Sequence, residues 1–159
     1  MKTKYVTLPA TAGRDAGKQF LITEMSAIKA EKWATRAILA MGRSGLDIPD
    51  NIRGAGMAAM AVLGLRTMLS MKWEDAEPLL DEMLGCIQII PDPKKNPTFL
   101  RKLEEVDIEE VKTLFDLRLE VFALHTGFSS AADLLKSTKD QMGPVAEQSN
   151  TQTSQPQSE

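Results

Sequence analysis

The chain has 159 residues, 43% hydrophobic and 26% charged, the composition of one ordinary water-soluble domain with enough length to bury a core. A formal charge of −3 argues against a general nucleic-acid binder or a protein that lies on acidic membranes. Cys86 and His125 are the single cysteine and the single histidine. Neither an internal disulfide nor an ordinary zinc site is therefore expected, and the cysteine usage fits a reducing compartment.

The chain opens on "MKTKYVTLPA", which lacks the apolar stretch of a secretion signal. β-formers gather in "KYVTL" (4–8) and "KQFLITEM" (18–25), with Pro9, Gly13 and Gly17 between them. This pattern predicts a β-hairpin with a long polar loop. The loop, "AGRDAGKQF" (12–20), raises the question of phosphate binding. A Walker loop needs four residues between its glycines, a hydroxyl after its lysine and a helix directly behind it. Gly13 and Gly17 have three residues between them, Gln19 follows Lys18, and "QFLIT" reads as strand. The loop is expected to be a turn whose glycines take positive φ.

Helix is expected from about Ala27 to Met41, capped by Ser26, with Ala30, Trp33, Ala34, Ala37, Ile38 and Met41 as its apolar face. "GRSG" (42–45) ends it. A second helix should run from about Ile52 or Gly56 to Ser70. Its core, "AGMAAMAVLGLRTMLSM" (55–71), is apolar apart from Arg66 and two hydroxyls. Arg66 argues against a membrane span and for a buried helix. A third helix is expected over 73–84, with Pro78 tolerable only in a first turn. "CIQIIPDPKKNP" (86–97) reads as an extended segment and then a proline-rich loop.

Asp107 and Glu110 have capping-box spacing and are expected to open a helix from about Ile108 to Thr126, stopped by Gly127. That helix carries two apolar rows: Leu114, Leu117, Val121 and Leu124 in one, Val111, Phe115 and Phe122 in the other. Arg118 and His125 share the second row. Glu24, Glu31 and the acidic loop 104–107 are candidate partners for Arg118. His125, near the helix end, reads as a cap or a packed imidazole. "EEVDIEE" (104–110) reads as a solvated helix start, and "KKNPTFLRK" (94–102) as a wet basic loop. Ser129 is expected to cap a last short helix over 130–139. The sum is an α+β fold, mainly α: an N-terminal hairpin and four to five helices in one domain (1–140), then a disordered polar tail (141–159).

No catalytic, cofactor or metal signature emerges. The feature that points to function is a methionine stripe. At helical spacing Met57, Met60, Met68 and Met71 fall within one sector, with Val62, Leu65 and Leu69 beside it. Methionine adapts its shape, so surfaces that accept varied apolar sequences are rich in it. These four residues are the candidate partner-binding site, set against the simpler reading of a helix buried all round.

"GRDAGKQFLITEMSAIKAEKWATRAILAM" and "DIEEVKTLFDLRLEVFALHTGFS" resemble a family of small tailed-phage proteins, the tail assembly chaperones. The similarity spans roughly 13–130 and is carried by "GRDAGK", "TEM", "AEKWATRA" and "LHTGFS". The resemblance implies a non-enzymatic protein of the host cytoplasm that works without a cofactor. It implies binding to the tape-measure protein and recruitment of tail-tube subunits. A homo-oligomer is a further candidate assembly, and charge and Arg66 leave no nucleic-acid or membrane partner expected. The alternative is a structural minor tail or tail-completion protein retained in the virion. A nucleotide-using enzyme acting through Lys18 is the third reading.

Overall fold

A computed structural model describes residues 1–43, 71–128 and 130–141. Over these residues the fold is mixed α+β and mainly helical. The expected hairpin forms from β1 (Thr3–Thr7) and β2 (Gln19–Thr23), with Val6 opposite Phe20 and Lys4 opposite Ile22. The sheet then grows beyond the hairpin. β3 (Ile87–Ile90) pairs with β2, and β4 (Arg101–Lys102) pairs with β3, all antiparallel in the order β1-β2-β3-β4. The reason lies in register: Ile87 and Ile89 stand opposite Ile22 and Phe20, so one apolar face runs across three strands.

Helix α1 (Ala27–Arg43) starts behind Ser26, whose hydroxyl oxygen accepts the Lys29 N–H at 3.4 Å. It buries Ala37 and Ala40 and half-buries Ala30 and Trp33, a narrower stripe than the sequence suggests, because Ala34 and Ile38 remain exposed. Trp33 bridges two neighbours. Its indole N–H donates to the Leu79 carbonyl at 3.0 Å, and its ring meets Phe122 at 6.3 Å.

Helix α2 (Trp73–Leu84) has the expected bounds, yet Pro78 sits in its second turn rather than its first. The proline gives up one backbone hydrogen bond there. Burial of Ala76, Leu79 and Met83 holds the helix together regardless.

Helix α3 (Val111–His125) starts three residues later than its sequence suggests, because Ile108 and Glu110 are extended. Asp107 does form a capping box, but with Glu104 across a single 3-10 turn, Glu105–Asp107. The stop at Gly127 holds: φ is +83°, the Phe128 N–H reaches the Ala123 carbonyl at 2.9 Å, and the Gly127 N–H that of Leu124 at 3.4 Å. Helix α4 (Ala131–Gln141) is capped by Ser130, one residue after the expected Ser129, through the Asp133 N–H at 3.1 Å.

Leu117 and Val121 of α3 close the main core with Phe20, Ile22, Leu79 and Ile87. The opposite side of α3 packs Ala123 against Leu134 of α4, so α3 is covered from two sides. The helix expected over 52–70 and the tail beyond Gln141 lie outside the described residues. Among the described residues no helix is long and apolar enough to cross a membrane.

Leu117 is fully buried at the junction of sheet and helices. Leu117→Ala should therefore cost about 2–5 kcal/mol in urea unfolding with the helical circular dichroism kept. A loss below about 1 kcal/mol would contradict this packing.

Candidate functional site

The loop between β1 and β2 folds as a 3-10 segment, Ala10–Asp15, interrupted at Gly13. Gly13 and Gly17 have φ of +60° and +79°, as expected for a turn that needs left-handed backbone twice. At Gly13 a further constraint applies, since an added Cβ would lie 3.0 Å from Glu110 Oε1. The loop is thus pressed against the start of α3, far along the chain.

Asp15 makes that junction. Its side chain is 0% exposed. Oδ1 accepts the Glu109 N–H and Oδ2 the Glu110 N–H, each at 2.9 Å. Lys18 Nζ donates to Oδ1 at 2.6 Å, and the Thr113 hydroxyl also bonds the carboxylate. A carboxylate from the hairpin therefore does the work of a helix cap, at the end of α3 where the helix dipole favours negative charge. Burial by itself pushes the Asp15 carboxyl up. The Lys18 ammonium, the two backbone N–H groups and Thr113 outweigh it and hold the carboxyl at about 2.

Lys18, the residue a phosphate loop would require, is spent on this network. Besides Asp15 it donates to the Asp107 carbonyl at 3.0 Å and to Glu109 Oε1 at 3.3 Å. Burial pulls its ammonium down in pKa, and Asp15 and Glu109 more than restore it. Arg14 closes the outer edge, donating to Glu110 Oε1 at 2.9 Å and to the Glu109 carbonyl at 2.8 Å. "EEVDIEE" is accordingly solvated only in part: Glu104, Glu105 and Glu109 are exposed, but the segment ends short of α3 and one of its carboxylates is buried. Asp107 is buried, paired with both terminal nitrogens of Arg101 at 2.6 Å each, and accepts the Glu104 N–H at 2.7 Å. The Arg101 guanidinium holds its carboxyl below the usual range. That pair also places Arg101, expected in a wet loop, on β4.

His125 is packed, and its two ring nitrogens both face backbone groups. Nε2 accepts the Met25 N–H at 2.7 Å, so the proton belongs on Nδ1, which donates to the Val121 carbonyl at 2.7 Å. A protonated cap could not accept from Met25. Arg118 has none of its expected partners: among the described residues its Nε is buried without a hydrogen bond, and the charge that acts on it is Asp81 of α2. Burial lowers its pKa.

Of the methionine stripe, Met57, Met60 and Met68 lie outside the described residues. Met71 is half-buried and packs against the main core. A different apolar surface is present on the helices. The first turns of α3 present Val111 and Phe115, 69% and 58% exposed, with Leu114 beside them. Leu114 also lines a groove of about 590 Å³ with Leu84, Ile87, Leu103 and Ile108, bordered by Lys29, Lys102, Glu104 and Glu105. On α1, Ile28 and Leu39 stand almost in line along the exposed side, with Ile38 nearby. The sequence contains one hint of this surface, the second apolar row of α3. The groove itself draws on four separate segments, so no local pattern reveals it.

No family model, no curated protein and no solved structure matches this chain.

The depressed Asp15 carboxyl makes stability depend on pH. An unfolded aspartate at 3.8 and a folded one at about 2 give a stabilisation of about 2 kcal/mol. It is present above about pH 4 and lost as pH falls through the folded value. Stability should therefore drop between pH 4 and 2, and Asp107, also depressed, adds to the drop. Asp15→Asn should lower stability by about 2 kcal/mol or more at pH 7 and flatten the acid slope. Urea midpoints for both proteins across pH 2–7 check this; parallel slopes would contradict it.

Proposed function

We propose that this chain is a non-enzymatic tail assembly chaperone of a tailed phage, holding the tape-measure protein through apolar surface and engaging tail-tube subunits in the host cytoplasm. The observation that supports the reading most is the pair Val111 and Phe115, exposed on α3 at i, i+4 spacing, with half-buried Leu114 between them at the rim of an apolar groove. A helical client can lay its own apolar face on such a row. Contiguous exposed apolar patches, unlike single exposed side chains, mark contact surfaces. Lys18 supports the same reading from the other side, because its ammonium is committed to Asp15, Asp107 and Glu109 rather than offered to a phosphate.

Co-expression with the tape-measure protein should keep that client soluble, and the pair should co-purify. The double variant Val111→Glu, Phe115→Glu should lose the client by at least about tenfold, since two buried apolar anchors go. Its circular dichroism should not change, because both positions are exposed and glutamate suits a helix start. Failure of the unaltered pair to associate would overturn the reading. So would stoichiometric presence of the chain in purified virions by mass spectrometry, which marks a structural tail protein instead. ATP or GTP should leave the melting temperature unchanged.

A further inference from the structure

The strand β1 ends the sheet, and its outer edge has no neighbour among the described residues. Which backbone groups face outward is set by the bonds at its ends. Leu8 donates to the Lys18 carbonyl at 3.0 Å and Lys2 accepts from Glu24 at 2.9 Å, so even-numbered residues turn toward β2. Thr3, Tyr5 and Thr7 then aim N–H and C=O groups away from the sheet. Their side chains share the face opposite the core and are exposed, Tyr5 by 67%.

Natural edges are guarded by charge, proline or shortness. β4 is guarded by shortness, at two residues. β1 has five residues, β-branched or aromatic at four of them, and Lys2 and Pro9 only bracket it. Lys4 lies within the strand, but its ammonium turns to the core side and is neutralised by Glu120 at 2.6 Å.

We propose that β1 is the interface for a second copy of this chain, paired antiparallel about a two-fold axis through Tyr5. The strand sequence is self-complementary in that register. Tyr5 faces Tyr5 of the other copy and Thr3 faces Thr7, so every outward amide and carbonyl meets its opposite. Lys4 falls opposite Val6, and Lys2 opposite Leu8, so no like charges oppose each other. The four-stranded sheet becomes one continuous sheet through both copies. Because β4 is too short to accept β1, head-to-tail growth into fibres is disfavoured and the assembly closes as a dimer.

The test uses the full chain without any client, so its outcome is independent of the chaperone reading. Sedimentation should show a concentration-dependent dimer. Tyr5→Pro removes an outward N–H that β2 does not use, and should weaken dimerisation about thirtyfold, for two lost amide donors per dimer, with the circular dichroism kept. Tyr5→Cys should cross-link on oxidation, because paired Cα atoms in this geometry lie about 5.5 Å apart. Thr7→Cys should not, since its symmetry mate is about 13 Å along the strand. Cys86 is buried and gives no background. A monomer at every concentration, a dimer undiminished by Tyr5→Pro, or equal cross-linking at positions 5 and 7 would overturn the proposal.

Discussion

A single carboxylate, that of Asp15, ties the hairpin to the helix that organises the rest of the fold. Two successive N–H groups ahead of α3 end on its two oxygens, and Lys18 and Thr113 complete the shell. A buried aspartate without such partners would cost several kcal/mol or take up a proton. With them it stays charged and sets where α3 begins. Ile108 and Glu110 remain extended, and the N–H groups of Glu109 and Glu110 end on Asp15 just ahead of the helix.

That starting point governs the course of the helix. α3 runs from the hairpin junction, past the sheet with Leu117 and Val121, to His125, whose ring returns to the hairpin by accepting the Met25 N–H. Each end of α3 is thus bonded to the segment that carries β1 and β2. Its middle is covered on one side by the sheet and α2, and on another by α4. Only the first turns stay open, where Val111 and Phe115 emerge. The same contacts that fix the helix therefore determine which part of its apolar surface is left for another protein.

How much of this was legible in the sequence depends on how far each partner lies along the chain. The hairpin, the positive φ at Gly13 and Gly17, the span of α2 and the stop at Gly127 are local, and each is written in adjacent residue types. The failed Walker spacing was likewise readable, and the strand at Gln19 bears it out. Asp15 was not, since its backbone donors, Glu109 and Glu110, are more than ninety residues away. Nothing near "GRDAGK" separates a solvated loop aspartate from a buried cap. Asp107 and Glu110 also looked like one capping box. Their spacing was right, but Arg101 and Arg14 had the stronger claim on them. The candidate surface was half-legible: the row Val111, Phe115 and Phe122 is a pattern, while the contact of half-buried Phe122 with Trp33 and the exposure of the other two depend on packing.

The most direct measurement of the central claim is the titration of the Asp15 side-chain carboxyl carbon by NMR in the folded protein. With the charge held by Lys18, Thr113 and the two backbone donors, the midpoint should fall at about 2. A midpoint at the ordinary value of 3.8 would mean that Asp15 is solvated, and that something other than this carboxylate joins the hairpin to α3.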